Sequence, residues 1–181
     1  MQLNRFVSII DAVSEWTGRA AAWLTLGMVL IGCAVVGLRY VLDTGWIWMQ
    51  ESVTWMHALV FLIGAAYTLK WDEHVRVDVL YRAWPERRQA LLNVLGTLFL
   101  LLPMCVFLIL WSYGYVASSW AVLESSREAG GLPGIFLLKT TLPAMAVLLG
   151  LQGIAELLRN LLILIGRPVT HEHYHRASTP L

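Results

Sequence analysis

The sequence predicts an all-α integral membrane protein, with four transmembrane helices, an amphipathic interfacial helix ahead of them, and both termini in the cytoplasm. Three observations lead there. Hydrophobic residues fill 58% of the 181 positions and the mean hydropathy is +0.65, too apolar for one soluble domain. The apolar residues come in runs, near 20–41, 48–69, 90–118 and 135–165, each long enough for the ~20 residues that a bilayer core of roughly 30 Å asks of a helix. The Lys and Arg residues are unevenly divided between the segments joining these runs, ten on one side and three on the other. The richer side holds both termini and residues 70–88, and basic segments stay in the cytoplasm.

Residues 1–19 precede the first run. Leu3, Phe6, Val7, Ile10, Val13 and Thr17 recur at helical spacing, with Asn4, Arg5, Ser8, Asp11 and Glu15 on the other side. That pattern predicts a helix lying in the membrane interface. It does not predict a secretory signal, because the apolar stretch starts late, runs too long and lacks a small-residue cleavage site. The four-helix membrane domain then spans 20–165, and its last two runs exceed the minimum, so tilt or a protruding end is expected. Residues 166–181 are expected to form a mobile cytoplasmic tail.

Within the spans, small and polar residues mark the faces that meet protein, since a lipid-facing helix needs only apolar ones. One such stripe is Thr25, Gly32, Val36 and Arg39. A second is Gln50, Thr54, His57, Phe61, Gly64, Ala65 and Thr68, and a third is Lys139, Pro143, Ala146, Gly150, Gly153 and Asn160. They serve packing among the four helices, docking of another subunit, or both. Arg39 closes the first span and Glu51 opens the second at one membrane level, which predicts a salt bridge between them; Glu156 and Arg159 can pair three residues apart. Pro103 is expected to kink the third span. The connection SSREAGGLPG, with Gly130, Gly131, Pro133 and Gly134, reads as a turn. Cys33 and Cys105 fall inside spans and read as small apolar fillers.

The densest charge is KWDEHVRVD at 70–78, where six of nine residues are ionisable. Asp72, Glu73, His74 and Asp78 offer oxygen and nitrogen ligands, but Lys70 and Arg76 among them favour self-neutralising ion pairs over a metal. The tail's His171, His173 and His175 could chelate weakly; a mobile tail is the simpler reading. A haem needs two imidazoles at one depth, and His57 and His74 stand about 25 Å apart along one helix path. No nucleophile motif, phosphate loop or zinc signature occurs, no basic excess invites nucleic acid, and no acidic residue lies deep in a span. No enzyme and no cofactor are expected. A quinone- or haem-associated anchor of an oxidoreductase is the alternative function for a chain of this shape.

The stretch WMQESVTWMHALVFLIGAAYTLKWDEHVRVDVLYRAWPERRQ, residues 48–89, resembles the small, Q-type (DctQ-like) membrane subunit of tripartite ATP-independent periplasmic (TRAP) transporters. The resemblance rests on Glu51, Gly64-Ala65-Ala66, His74-Val75-Arg76-Val77-Asp78, Trp84-Pro85 and Arg87-Arg88, preceded by Arg39. It continues through Trp120, Leu132-Pro133, Lys139, Pro143 and Leu151-Gln152. Trp84-Pro85 stands where Leu-Pro is usual, and SSREAGG carries more charge than the family's loop. The resemblance implies a multi-pass protein of the bacterial inner membrane, a non-catalytic scaffold that docks on a large, M-type membrane subunit. With a periplasmic solute-binding protein, that subunit imports organic solutes, carboxylates among them, by sodium symport. It also implies structural or interface roles for Arg39, Glu51, Gly64, His74, Asp78, Lys139 and Gln152. The loop 70–78 becomes a structural lock, in which Asp78 caps a short helix through Val79–Trp84.

Overall fold

A computed structural model describes residues 2–74, 81 and 83–166, with side chains from Arg5 onward. Among them are four helices, each long and apolar enough to cross a membrane: α1 (Gln2–Leu42), α2 (Ile47–Lys70), α3 (Glu86–Ala121) and α4 (Ile135–Leu164). Asp78 and the three tail histidines lie outside the described residues.

No Pro occurs before Pro85 and a single glycine, Gly18, stands at the join between the N-terminal segment and the first span, too weak a breaker to stop helix propagation across it. α1 is accordingly one helix of 41 residues, about 62 Å long against a bilayer core of roughly 30 Å. The N-terminal segment is therefore the first turns of the same rod. Its buried side is Ile10, Ser14, Gly18 and Ala21, whereas Phe6, Ile9, Val13 and Trp16 are exposed. A short connection reverses the chain: Asp43 takes φ 48° and the Thr44 N–H reaches back to the Leu38 carbonyl at 3.2 Å.

α2 stops in a left-handed cap at Asp72 (φ 57°), with the Asp72 N–H on the Leu69 carbonyl and the Glu73 N–H on that of Thr68. In α3 the turn Thr97–Leu101 widens to π geometry directly ahead of Pro103. The proline has no N–H to give and its ring would press on the carbonyl four residues back; the wider turn relieves both problems. α4 starts after Gly134, whose φ of 118° suits only glycine, and ends where Gly166 (φ 75°) bonds back to Ile163.

α1 packs on α2, α2 on α4, and α3 on α4, while the first turns of α1 also reach α4. α4 is thus the common partner of the other three. Its inner stripe is Thr141, Ala146, Gly150, Gln152, Gly153, Ala155 and Asn160. Small residues there let backbones approach, as van der Waals packing in lipid requires. Cys105 of α3 sits over Gly150 and Leu101 over Gly153. On α1, Gly18 lies directly beneath the Tyr67 ring.

Candidate functional site

Charged and hydrogen-bonding groups are costly in a bilayer unless they pair, and their placement divides the molecule into two braced ends and one free face. At the terminal end, where α1 begins and α4 stops, α1 contributes Asp11, Ser14 and Glu15. One Glu15 oxygen accepts the Lys70 ammonium at 2.7 Å and the Trp71 indole N–H at 3.2 Å; the other accepts Arg19 Nε at 2.7 Å. Arg159 bridges Asp11 and Glu156. Gln152, 0% exposed, accepts the Ser14 hydroxyl at 2.7 Å and donates to Asp11 at 3.2 Å. Asn93 of α3 donates to Asn160 at 3.2 Å and to the Tyr81 hydroxyl at 2.9 Å. All four helices are joined at this level.

At the opposite end the 122–134 connection is held twice. Glu51, in the first turns of α2, accepts the Ser126 hydroxyl and the Leu132 N–H, the latter at 2.6 Å. A Cβ on Gly131 would lie 2.7 Å from Glu51 Oε2, so only glycine lets the carboxylate come so close. Glu124 accepts from Lys139 of α4 and, at 2.6 Å, from the Ser119 hydroxyl of α3. The hydrogen bond from Lys139, then that from Ser119, holds the Glu124 carboxyl below its ordinary range. Lys139 also stands 4.1 Å from the centre of the Tyr115 ring. The Trp120 indole donates to Thr140 at 2.9 Å and meets Phe136 edge-on.

The predicted salt bridge between Arg39 and Glu51 is absent among the described residues. Both sit at one level, but Glu51 turns toward the α3–α4 connection while Arg39 is exposed on α1 and has no ion-pair partner there. Lys139 and Gln152 each enter a brace. His74 donates from Nε2 to the Ala65 carbonyl at 3.2 Å, just past the end of α2, so it belongs to that helix's stop. Glu156 and Arg159 do pair locally. Sequence reasoning did not join Glu15 to Lys70, Ser14 to Gln152 or Glu124 to Lys139. For Glu15–Lys70 and Glu124–Lys139 the available signal was two polar residues at the margins of apolar runs on one side of the membrane; Gln152, well inside the fourth run, gave no pointer to Ser14.

α2 has three sides. Met56 faces Gly27 and Tyr67 faces Gly18, both on α1; Trp55 and Glu51 face the segment leading into α4. The third side carries Gln50, Thr54, His57 and Phe61, all exposed, then Gly64 and Thr68. Phe61 is 74% exposed, and a Cβ built on Gly64 meets nothing within 4 Å. The Thr54 and Thr68 hydroxyls turn back to carbonyls of their own helix, Gln50 and Gly64. Among the described residues the side chains of Gln50 and His57 have no hydrogen-bond partner. The corresponding stripe of α4 points inward, so the two stripes read alike in the sequence do different jobs.

Residues 28–162, from within α1 to near the end of α4, match the family of tripartite ATP-independent periplasmic transporters, DctQ component. A C4-dicarboxylate TRAP transporter small permease protein, DctQ, of Vibrio cholerae serotype O1 is 28% identical over 112 residues. That alignment covers 62% of this chain and 47% of the relative, so the chain matches about half the length of that protein.

Proposed function

Because this chain belongs to the DctQ component family of tripartite ATP-independent periplasmic transporters, and is a multi-pass inner-membrane protein, we propose that it is the non-catalytic scaffold subunit of a sodium-coupled importer. In this reading it docks on the large, M-type membrane subunit, and a periplasmic solute-binding protein delivers the solute. Carboxylate-containing organic solutes are the proposed cargo, a reading supported by the C4-dicarboxylate name of the similar Vibrio protein. Both termini and residues 70–88 are assigned to the cytoplasm, on the division of positive charge.

The observation that carries the scaffold reading is the bracing of the bundle at both ends. The Asp11–Arg159–Glu156 and Glu15–Lys70 pairs consume ionisable side chains in fixing helices to one another at one end. Lys139–Glu124 does the same at the other. Self-neutralised groups of this kind make a frame of fixed shape, which a moving transport subunit needs beside it.

Reconstitution tests the reading. Vesicles holding this chain with the large subunit and the binding protein should take up solute when a sodium gradient is applied. Vesicles holding this chain alone should not. Uptake by the isolated chain, or full uptake by the large subunit and binding protein without it, would overturn the scaffold role.

A further inference from the structure

We infer that the third side of α2, from Gln50 through His57 to Gly64, is the surface on which the large membrane subunit docks. This rests on the scaffold reading and adds the face to it. His57 stands ten residues along α2 from Ile47, about 15 Å in from that end and so near mid-bilayer. An exposed imidazole at that depth has no water to satisfy it, and acyl chains offer neither donor nor acceptor. Gln50, three residues from Ile47 and so at the interface, is a second exposed side chain on the same line.

Gln152, Asn160 and Glu51 find partners within the chain. Among the described residues His57 and Gln50 do not. Phe61 and the open notch at Gly64 sit on the same line, a projecting ring and a place where a foreign helix backbone can approach closely. The occupant this surface fits is therefore a transmembrane helix with a hydrogen-bonding side chain opposite His57 and close-packed backbone opposite Gly64.

Lipid is the poorer fit here and the better fit on α3. The outward middle of α3 is Phe99, Leu100, Met104, Phe107 and Leu110, all apolar, with Trp111, whose indole N–H is the one strong donor of the set and whose ring stacks on Phe107. A second copy of this chain would have to place His57 against its own stripe.

The test is photocrosslinking in membranes that contain the full chain together with the large subunit, with benzoylphenylalanine replacing either His57 or, separately, Phe107. An adduct between this chain and the large subunit at position 57, with none at 107, is expected. An adduct at 107 and none at 57 would move the docking face to α3 and overturn the inference while leaving the scaffold reading intact. An adduct at 57 with the mass of two copies of this chain would make the face a self-association surface and also overturn it. If neither position reacts and the large subunit does not co-purify, the scaffold reading itself fails and the inference with it. As a second measurement, His57→Leu should weaken capture of the large subunit about threefold, the usual worth of one interhelical hydrogen bond in a membrane. His57→Gln, which can still hydrogen-bond, should recover most of that loss, and Gly64→Trp should block capture by filling the notch. Unchanged capture in both His57→Leu and Gly64→Trp would overturn the assignment.

Discussion

Glu51 holds a hydroxyl and a backbone N–H of one connection with a single carboxylate, and so controls where residues 126–132 lie. Replacing it with alanine strands the Leu132 N–H, at a cost of about 1–3 kcal/mol. Glu51→Ala should therefore lower the thermal midpoint of the detergent-solubilised protein and expose the connection to protease, while Arg39→Ala should leave both unchanged. The charge swap of Arg39 with Glu51 should rescue nothing, since the two side chains do not meet. Glu124 adds a pH dependence with a definite sign. Its folded pKa is depressed, chiefly by the Lys139 hydrogen bond, so its contribution is complete above the ordinary carboxylate range and disappears as pH falls through the lower folded value. A nitroxide label on Ala129→Cys should stay immobile at neutral pH and gain mobility on acidification; with Glu124→Gln added it should be mobile throughout. At this scale the sequence carries depth but not direction. Arg39 and Glu51 share a level, yet nothing in the order of residues tells on which side of its helix each one points. Gln152 illustrates the same limit, because its partners Ser14 and Asp11 lie more than a hundred residues away.

The helices themselves were far more legible, since a bilayer imposes a length that apolar runs display openly. Their departures from expectation have local causes. α1 does not break at residue 19 because its early polar groups, Asp11, Ser14 and Glu15, are satisfied by α2 and α4 and need no water. Pro103 is accommodated by the π turn Thr97–Leu101, a response that a proline rule does not distinguish from a kink. Two glycines then make a test of packing. A Cβ on Gly18 would stand 2.3 Å from Tyr67 Cγ and 2.5 Å from its Cβ, atoms near the root of the side chain that cannot swing aside. A Cβ on Gly153 would meet Leu101 Cδ2 at 2.6 Å, the free end of a flexible side chain. Gly18→Ala should accordingly destabilise by about 1–3 kcal/mol through overpacking, and Gly153→Ala by much less. Adding Tyr67→Ala to Gly18→Ala should recover part of the loss in an unfolding titration. Equal damage from the two glycine variants would show that α1 and α2 do not cross where the structure puts them.

For the whole molecule, sidedness is the quantity that charge counting predicts and that the helix packing alone leaves undefined. With Cys33 and Cys105 replaced by alanine, a cysteine at Ala129 should react with an impermeant reagent from outside the cell, and one at Ser178 only after the membrane is opened. Labelling of both from outside would refute the ten-to-three assignment. The position of α4 as common partner has a further consequence, in the order of synthesis. α1 and α2 can pair as soon as both have left the ribosome, but α3 packs chiefly on α4, which is made after it. For as long as residues 135–164 remain unsynthesised, α3 must wait in the membrane with its Gly-facing side chains, Leu101 and Cys105, against lipid or a chaperone. Nascent chains halted before Ile135 should therefore contain a settled hairpin and an orphan helix that crosslinks to the insertion machinery. Chains released after Leu164 should lose that crosslink together, in one step, as α4 closes the bundle.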